Sequence, residues 1–317
     1  MQFKLLNKKF QIRELTVHMK KDFRVLSSGS YLLLLFAIML AFGFISAYSS
    51  SIDFSQTYNS ENIPLSNNEL TTLFNQTIYN YWDSTLFFWP IMMAVIASLL
   101  VSQEKDDGMF QYICTYQPKS YFIYFSKLSV LSIIIILLNI ISIIIFQIVF
   151  YFVSGKYLPF INLIESCIYP MFALIILSQL CLLIGFISKK KNFALIITVG
   201  VILMLFASTT LLMSNGVKDV AHSGLITPDS NMDPNYFPIQ YKIIIVLNPM
   251  FLQEGIISIL NLSIDYNSGI FIEKYFQILS IDWYYGYIII SMFMYSVVSI
   301  YAIQKSIPKR RKNDDQQ

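Results

Sequence analysis

Leu128 to Val153 is a run of 26 residues without a single charge, in which Asn139 and Gln147 are the only amides. About 20 predominantly apolar residues suffice to cross the hydrocarbon core of a bilayer as a helix. The wealth of isoleucine in this run does not argue for strands, because no soluble strand continues this far. Five further runs have the same character: Tyr31–Tyr48, Ser84–Val101, Ile168–Ile187, Phe193–Met213 and Tyr285–Ile303. The chain has 317 residues and a mean hydropathy of +0.58, and it is 13% charged, against roughly 25% in soluble domains. A soluble domain is thereby excluded. The expected fold class is an all-α integral membrane protein with six transmembrane helices, the transmembrane domain spanning 31–303.

Residues 1–30 are basic and apolar and lack a small-residue cleavage site, so they do not read as a secretory signal peptide. Ile12, Leu15, Met19, Phe23 and Leu26 recur at steps of three and four, while Arg13, Lys20, Lys21 and Arg24 take the opposite side. This pattern predicts a helix lying in the membrane surface, its basic side toward anionic headgroups. A soluble amphipathic helix packed on a partner is the alternative.

Charge placement sets the expected topology. Ser49–Asp83 carries Asp53, Glu61, Glu69 and Asp83 and no Lys or Arg, the composition of an outer loop. Ser214–Tyr241 is polar, with Pro228, Pro234 and Pro238 marking an exposed loop. Ile243–Leu262 is apolar but interrupted by Asn248, Pro249, Gln253, Glu254 and Gly255, so it is re-entrant, interfacial or a seventh span. A seventh span would put the basic tail, residues 304–317, outside. With six, 18 of the 22 Lys and Arg residues lie inside, as the positive-inside bias requires. Both termini, the 103–127 stretch and the Lys189–Lys191 turn are then cytoplasmic.

Catalytic signatures are missing from the sequence. It has no GxxxxGK[ST] phosphate loop, no HExxH and no GxSxG. Cys114, Cys167 and Cys181 lack metal-ligand spacing, and His18 and His222 are the only histidines. Neither an enzymatic activity nor a metal site is expected. Asn139, Gln147 and Gln179 are candidates to line a path between helices, with interhelical hydrogen bonding as the alternative. Glu165 and Glu254 lie near outer ends of membrane segments; the cost of intramembrane charge makes them functional candidates, with snorkelling to water as the reading that their place near the interface favours.

The remaining distinctive stretch is Gln103–Lys127. Glu104, Lys105, Asp106 and Asp107 cannot enter hydrocarbon, where each charge costs roughly 2.5 to 3.5 kcal/mol on insertion scales. They mark the point where the chain leaves the membrane. Past Gly108, the residues Met109, Tyr112, Ile113 and Tyr116 share one face of a short helix. Pro118 stops that helix and Ser120 is a fitting N-cap for the next. Such a loop offers a surface to another molecule, or is a plain solvated connection.

The order Glu104, Asp106, Asp107, Gly108, then Pro118, Ser120 and Lys127 resembles the signature of permease subunits of ABC-2 type ATP-binding cassette transporters. Two positions depart from it: Met109 stands where Thr is usual, and Tyr121 where Arg is common. The resemblance implies that this loop is a coupling element docking on a separate ATPase subunit, which would hold ATP and Mg, with no cofactor bound to this chain. It further implies an N-terminal elbow helix, short outer re-entrant or interfacial helices between spans five and six, and a second permease subunit, identical or related. The implied activity is export across the cytoplasmic membrane of a prokaryote, and the scarcity of charge within the spans suggests an apolar, amphiphilic or peptidic cargo over a small ion. The alternative is transmission of ATP-driven motion to an extracytoplasmic partner. No nucleic-acid partner is implied.

Overall fold

A computed structural model of the protein describes residues 15–26, 30–60, 66–110, 113, 120–188, 190–222, 248–250, 255–260 and 281–306. Among these residues there are helices and no strands. In chain order they are α1 (15–26), α2 (Ser30–Ser60), α3 (Asn67–Asp106), α4 (Ser120–Ser154), α5 (Phe160–Ser166), α6 (Ile168–Ile187), α7 (Lys191–His222), α8 (Gly255–Ile259) and α9 (Ile281–Ser306). Six helical stretches are long and apolar enough to cross a membrane: α2, α3, α4, α5 with α6, α7 and α9. This all-α, six-span architecture is the one that hydropathy predicts.

At the centre lies α3, packed against α2, α6 and α7; α4 packs on α2, and α9 on α6. Most of the apolar length of α3 and α6 is buried, while α7 is mostly on the outside. Trp82, Trp89 and Tyr81 on α3 are fully buried. Their polar atoms are met across helix boundaries: Trp82 donates to Ser166 Oγ (2.8 Å), Trp89 to the Met39 carbonyl (3.1 Å), and the Tyr81 hydroxyl pairs with that of Ser142. In hydrocarbon no water would satisfy these groups, so such bonds fix how the helices meet. Leu33, Phe44, Ile196, Met204, Ile289 and Phe293 point outward.

The sequence reads Ser49–Asp83 as a polar loop, but nearly all of its described part is helical. At 1.5 Å per residue, the 40 residues of α3 reach about 60 Å, twice the hydrocarbon thickness. The first two long helices therefore continue well past their apolar portions. Ser66 caps α3 through a capping box with Glu69, whose carboxylate accepts from the Ser66 N–H at 2.7 Å. An aromatic cluster holds the extensions together. The Phe54 ring is 5.2 Å from Phe74 and 4.8 Å from Phe150. Asn75 is buried, donating to the Leu260 carbonyl and accepting from Asn162, both at 2.8 Å. It thereby ties α8 and α5 to α3.

Of the polar stretch Ser214–Tyr241, residues through His222 are helical and continue α7. The rest, like most of Ile243–Leu262, lies outside the described residues. Within that segment Asn248 donates to the Leu205 carbonyl (2.9 Å), and Met250, Ile256 and Leu260 are buried against the bundle.

Candidate functional site

The end of the bundle where α3 stops and α4 starts collects four charged side chains. Leaving α3, Asp107 is the C-cap and Gly108 follows with φ +70°. Its N–H reaches the Lys105 carbonyl at 3.2 Å. Glycine takes this left-handed conformation without the Cβ penalty, which lets the chain turn sharply out of the helix.

Just before that turn, Glu104 points inward and is 1% exposed. Lys127, seven residues into α4, is fully buried beside it. The Lys127 Nζ lies 2.7 Å from Glu104 Oε2, 3.1 Å from Asp22 Oδ1 and 3.0 Å from the Leu100 carbonyl. An ammonium has three N–H donors, and all three are used. Lys21 closes the other side, 2.6 Å from Glu104 Oε1 and 3.1 Å from Asp22 Oδ1. Ser126 donates to Asp22 Oδ2 at 2.7 Å. Two carboxylates and two ammonium groups thus form a closed, charge-neutral ring joining α1, α3 and α4.

Burial alone would raise the Asp22 carboxyl. The Lys127 and Lys21 ammonium groups beside it, with hydrogen bonds from Ser126 and Lys127, outweigh that and hold it below the ordinary carboxylate range. The ring is therefore ionised at neutral pH on its Asp22 side. Buried pairs of this kind contribute little net stability compared with apolar side chains, but removing one member leaves an uncompensated charge. Their effect is to demand one arrangement of three helices.

Sequence reasoning singles out Glu104 and Lys127, assigns Lys21 to the headgroup side of the N-terminal helix, from which the ring withdraws it, and leaves Asp22 and Ser126 aside. Asp22 follows Met19 by three and precedes Leu26 by four, so it shares their face, and Met19 and Leu26 pack on the bundle. An acid on the inward face of a basic helix was the available signal. Phe23, which the sequence groups with the apolar stripe, is exposed together with Val17. The stripe is split because the ring draws Asp22, not Phe23, toward the core.

The other predicted residues fall in different places. Asp107, Gly108 and Met109 are exposed, while Ile113 is buried, as is Phe110. Residues 109, 110 and 113 are helical, and the inward side of this turn is formed by Phe110 and Ile113. Asp106 accepts from the Lys191 N–H at 3.0 Å. Tyr112, Tyr116 and Pro118 lie outside the described residues, and Ser120 opens α4.

Asn139, Gln147 and Gln179 are distributed along the bundle and are not brought together with the ring. Asn139 donates to Ile135 of its own helix (2.9 Å), Gln147 to the Leu158 carbonyl (3.5 Å), and Gln179 to Ser296 Oγ on α9 (3.4 Å). Gln179 is thus the one whose amide bridges two long helices.

The geometry contains a buried electrostatic joint and an exposed tip immediately after it, with no arrangement of nucleophile, base and orienting group among the described residues of this end. No curated protein matches the chain. Residues 27–207, more than half of the chain, match the family described as ABC-2 family transporter protein. The match runs from the start of α2 into α7 and includes Glu104, Gly108 and Lys127. A multi-pass helical bundle, a charged exit from its central helix and this match agree: the chain belongs to the ABC-2 family of transporter membrane proteins.

Proposed function

We propose that the chain is the membrane-spanning half of an ABC-2 exporter whose ATPase is a separate subunit docking on the exposed tip at Asp107–Met109. The observation that carries this reading is the ring of Lys21, Asp22, Glu104 and Lys127 directly behind the tip. A tip on a flexible loop would absorb a push. A tip set on a joint that binds α1, α3 and α4 passes the push to all three, as conversion of ATPase closure into helix movement requires.

Membrane orientation follows from the basic residues, which favour the cytoplasmic side for the ring and tip. The exposed Val17 and Phe23 of α1 are side chains suited to enter the interface there. A second permease subunit, identical or related, completes the path. The cargo is apolar, amphiphilic or peptidic, because the polar groups that the spans bury away from the ring are amides and hydroxyls, which suit neutral or mixed surfaces better than a small ion. Transmission of motion to an extracytoplasmic partner is the second reading, supported by the helical extensions of α2 and α3 beyond the apolar zone.

The test is co-purification. Met109→Asp should leave the protein in the membrane at wild-type levels, since Met109 is exposed, yet recover much less ATPase. Full ATPase recovery with ATP hydrolysis unchanged would remove the docking surface from this position.

A further inference from the structure

Lys105 and Asp106 take no part in the ring, yet both are committed to contacts more than 80 residues away. The Lys105 ammonium donates to the carbonyls of Phe186 and Ser188, the second at 3.0 Å. Phe186 lies in the last turn of α6 and Ser188 is its C-cap residue, so neither carbonyl has a donor within that helix. The Asp106 Oδ2 accepts from the Lys191 N–H, the first residue of α7, whose N–H has no acceptor within its helix. The cation therefore meets the negative end of one helix dipole and the anion the positive end of the next. Two adjacent side chains of α3 thus cap the end of α6 and the start of α7 from outside.

The clamp is packed as well as bonded. Phe110 is buried, with its ring 6.3 Å from that of Phe186 and 5.6 Å from the Lys105 Nζ. Immediately before Phe186, Gly185 lies so close to α3 that a Cβ there would sit 3.0 Å from Val101 Cβ. Smooth apolar helix contacts resist sliding weakly, whereas directed hydrogen bonds at both ends of a turn fix register.

We infer that Lys105 and Asp106 are positioning residues that make the α6–α7 turn move with the exit of α3, so that a push received at the tip reaches α6 and α7 as well. This rests on the docking of an ATPase at Asp107–Met109. The ring and the clamp then divide the output: Glu104 addresses α1 and α4, Lys105 addresses α6, and Asp106 addresses α7. Three consecutive residues connect one input to four helices besides their own.

Hydrogen–deuterium exchange on the complete permease and ATPase complex in nanodiscs, with and without ATP and Mg, tests this without a known substrate. In the wild type, ATP should change exchange at 103–113 and at 186–195 together. In Lys105→Met/Asp106→Ala the change at 103–113 should persist and that at 186–195 should vanish. Lys105→Arg/Asp106→Asn, which keeps the donors and the acceptor, should restore it. Should the first double variant fail to assemble, Asp106→Ala alone, at an exposed position, must weaken the response at 186–195. A wild-type response at 103–113 with 186–195 silent, or a response at 186–195 that survives the clamp variants, would overturn the inference. No wild-type response at 103–113 would instead remove the docking reading beneath it.

Discussion

Replacing Lys127 with Met keeps the volume and apolar stem of the side chain and deletes its charge. The structure gives the size of the effect. All three donors of Lys127 are in use, its two acidic partners are buried, and the remaining cation, Lys21, is 27% exposed. Stranding buried charges by removing one partner costs about 3 to 5 kcal/mol, and because Lys21 still faces both acids the lower part of that range applies. At about 2 to 4 °C per kcal/mol for chains approaching this size, the apparent Tm should fall by roughly 6 to 12 °C. Thermal unfolding in detergent, followed by the loss of the monodisperse size-exclusion peak, measures this. The charge-free variant Lys127→Met/Asp22→Asn/Glu104→Gln should recover most of the loss, since a neutral replacement strands no buried charge and Lys21 can turn to water. A single variant within about 2 °C of wild type, or a triple variant less stable than the single, would refute the buried ring as the joint.

Gly108→Ala should cost about 1 kcal/mol through its left-handed backbone alone, because no atom lies within 4 Å of the Cβ it would add; Gly108→Asn should cost less, and equal stability of Ala and Gly would contradict the φ of +70°. The Asp22 carboxyl titrates lower in the folded protein than in the unfolded chain, so its contribution is complete above the unfolded value of about 3.9 and fades only as pH falls through the lower folded value. The Tm of the wild type should exceed that of Asp22→Asn by a constant margin from about pH 5 upward and converge with it below about pH 3.9; a margin already shrinking at neutral pH would show the opposite shift. Asn75→Ala should leave the bundle intact but free α8, raising hydrogen exchange at 255–260 selectively, and unchanged exchange there would show that its bond to Leu260 holds nothing.

The spans were legible in the sequence because hydrocarbon imposes a length and a composition that no other environment does. The charged exit was legible too, since Glu104 and its neighbours cannot enter lipid. What could not be read was where those charges go. Glu104 meets Lys127 and Lys21 across 23 and 83 positions, and Lys105 meets carbonyls that periodicity never reveals. Asp22 was hidden by a rule that is usually sound: an acid within an amphipathic pattern is assigned to water, and only the buried Lys127 opposite reverses that. The polar stretch at 49–83 reads as a loop for a related reason. Thr77 returns its hydroxyl to the Leu73 carbonyl at 2.8 Å and Asn75 finds partners on α5 and α8, so polarity there means satisfied helix rather than loop. The Ser66-to-Glu69 capping box was the local sign of it.

The central claim is that the ATPase sits on the tip just behind which the ring is buried. A photo-crosslinking residue placed at position 109, and in a parallel protein at position 157, exposed on the connection between α4 and α5, tests it in intact cells. Illumination should join position 109, and not 157, to an ATP-binding cassette ATPase identified by mass spectrometry of the adduct. An adduct at 157 with none at 109 would contradict the account.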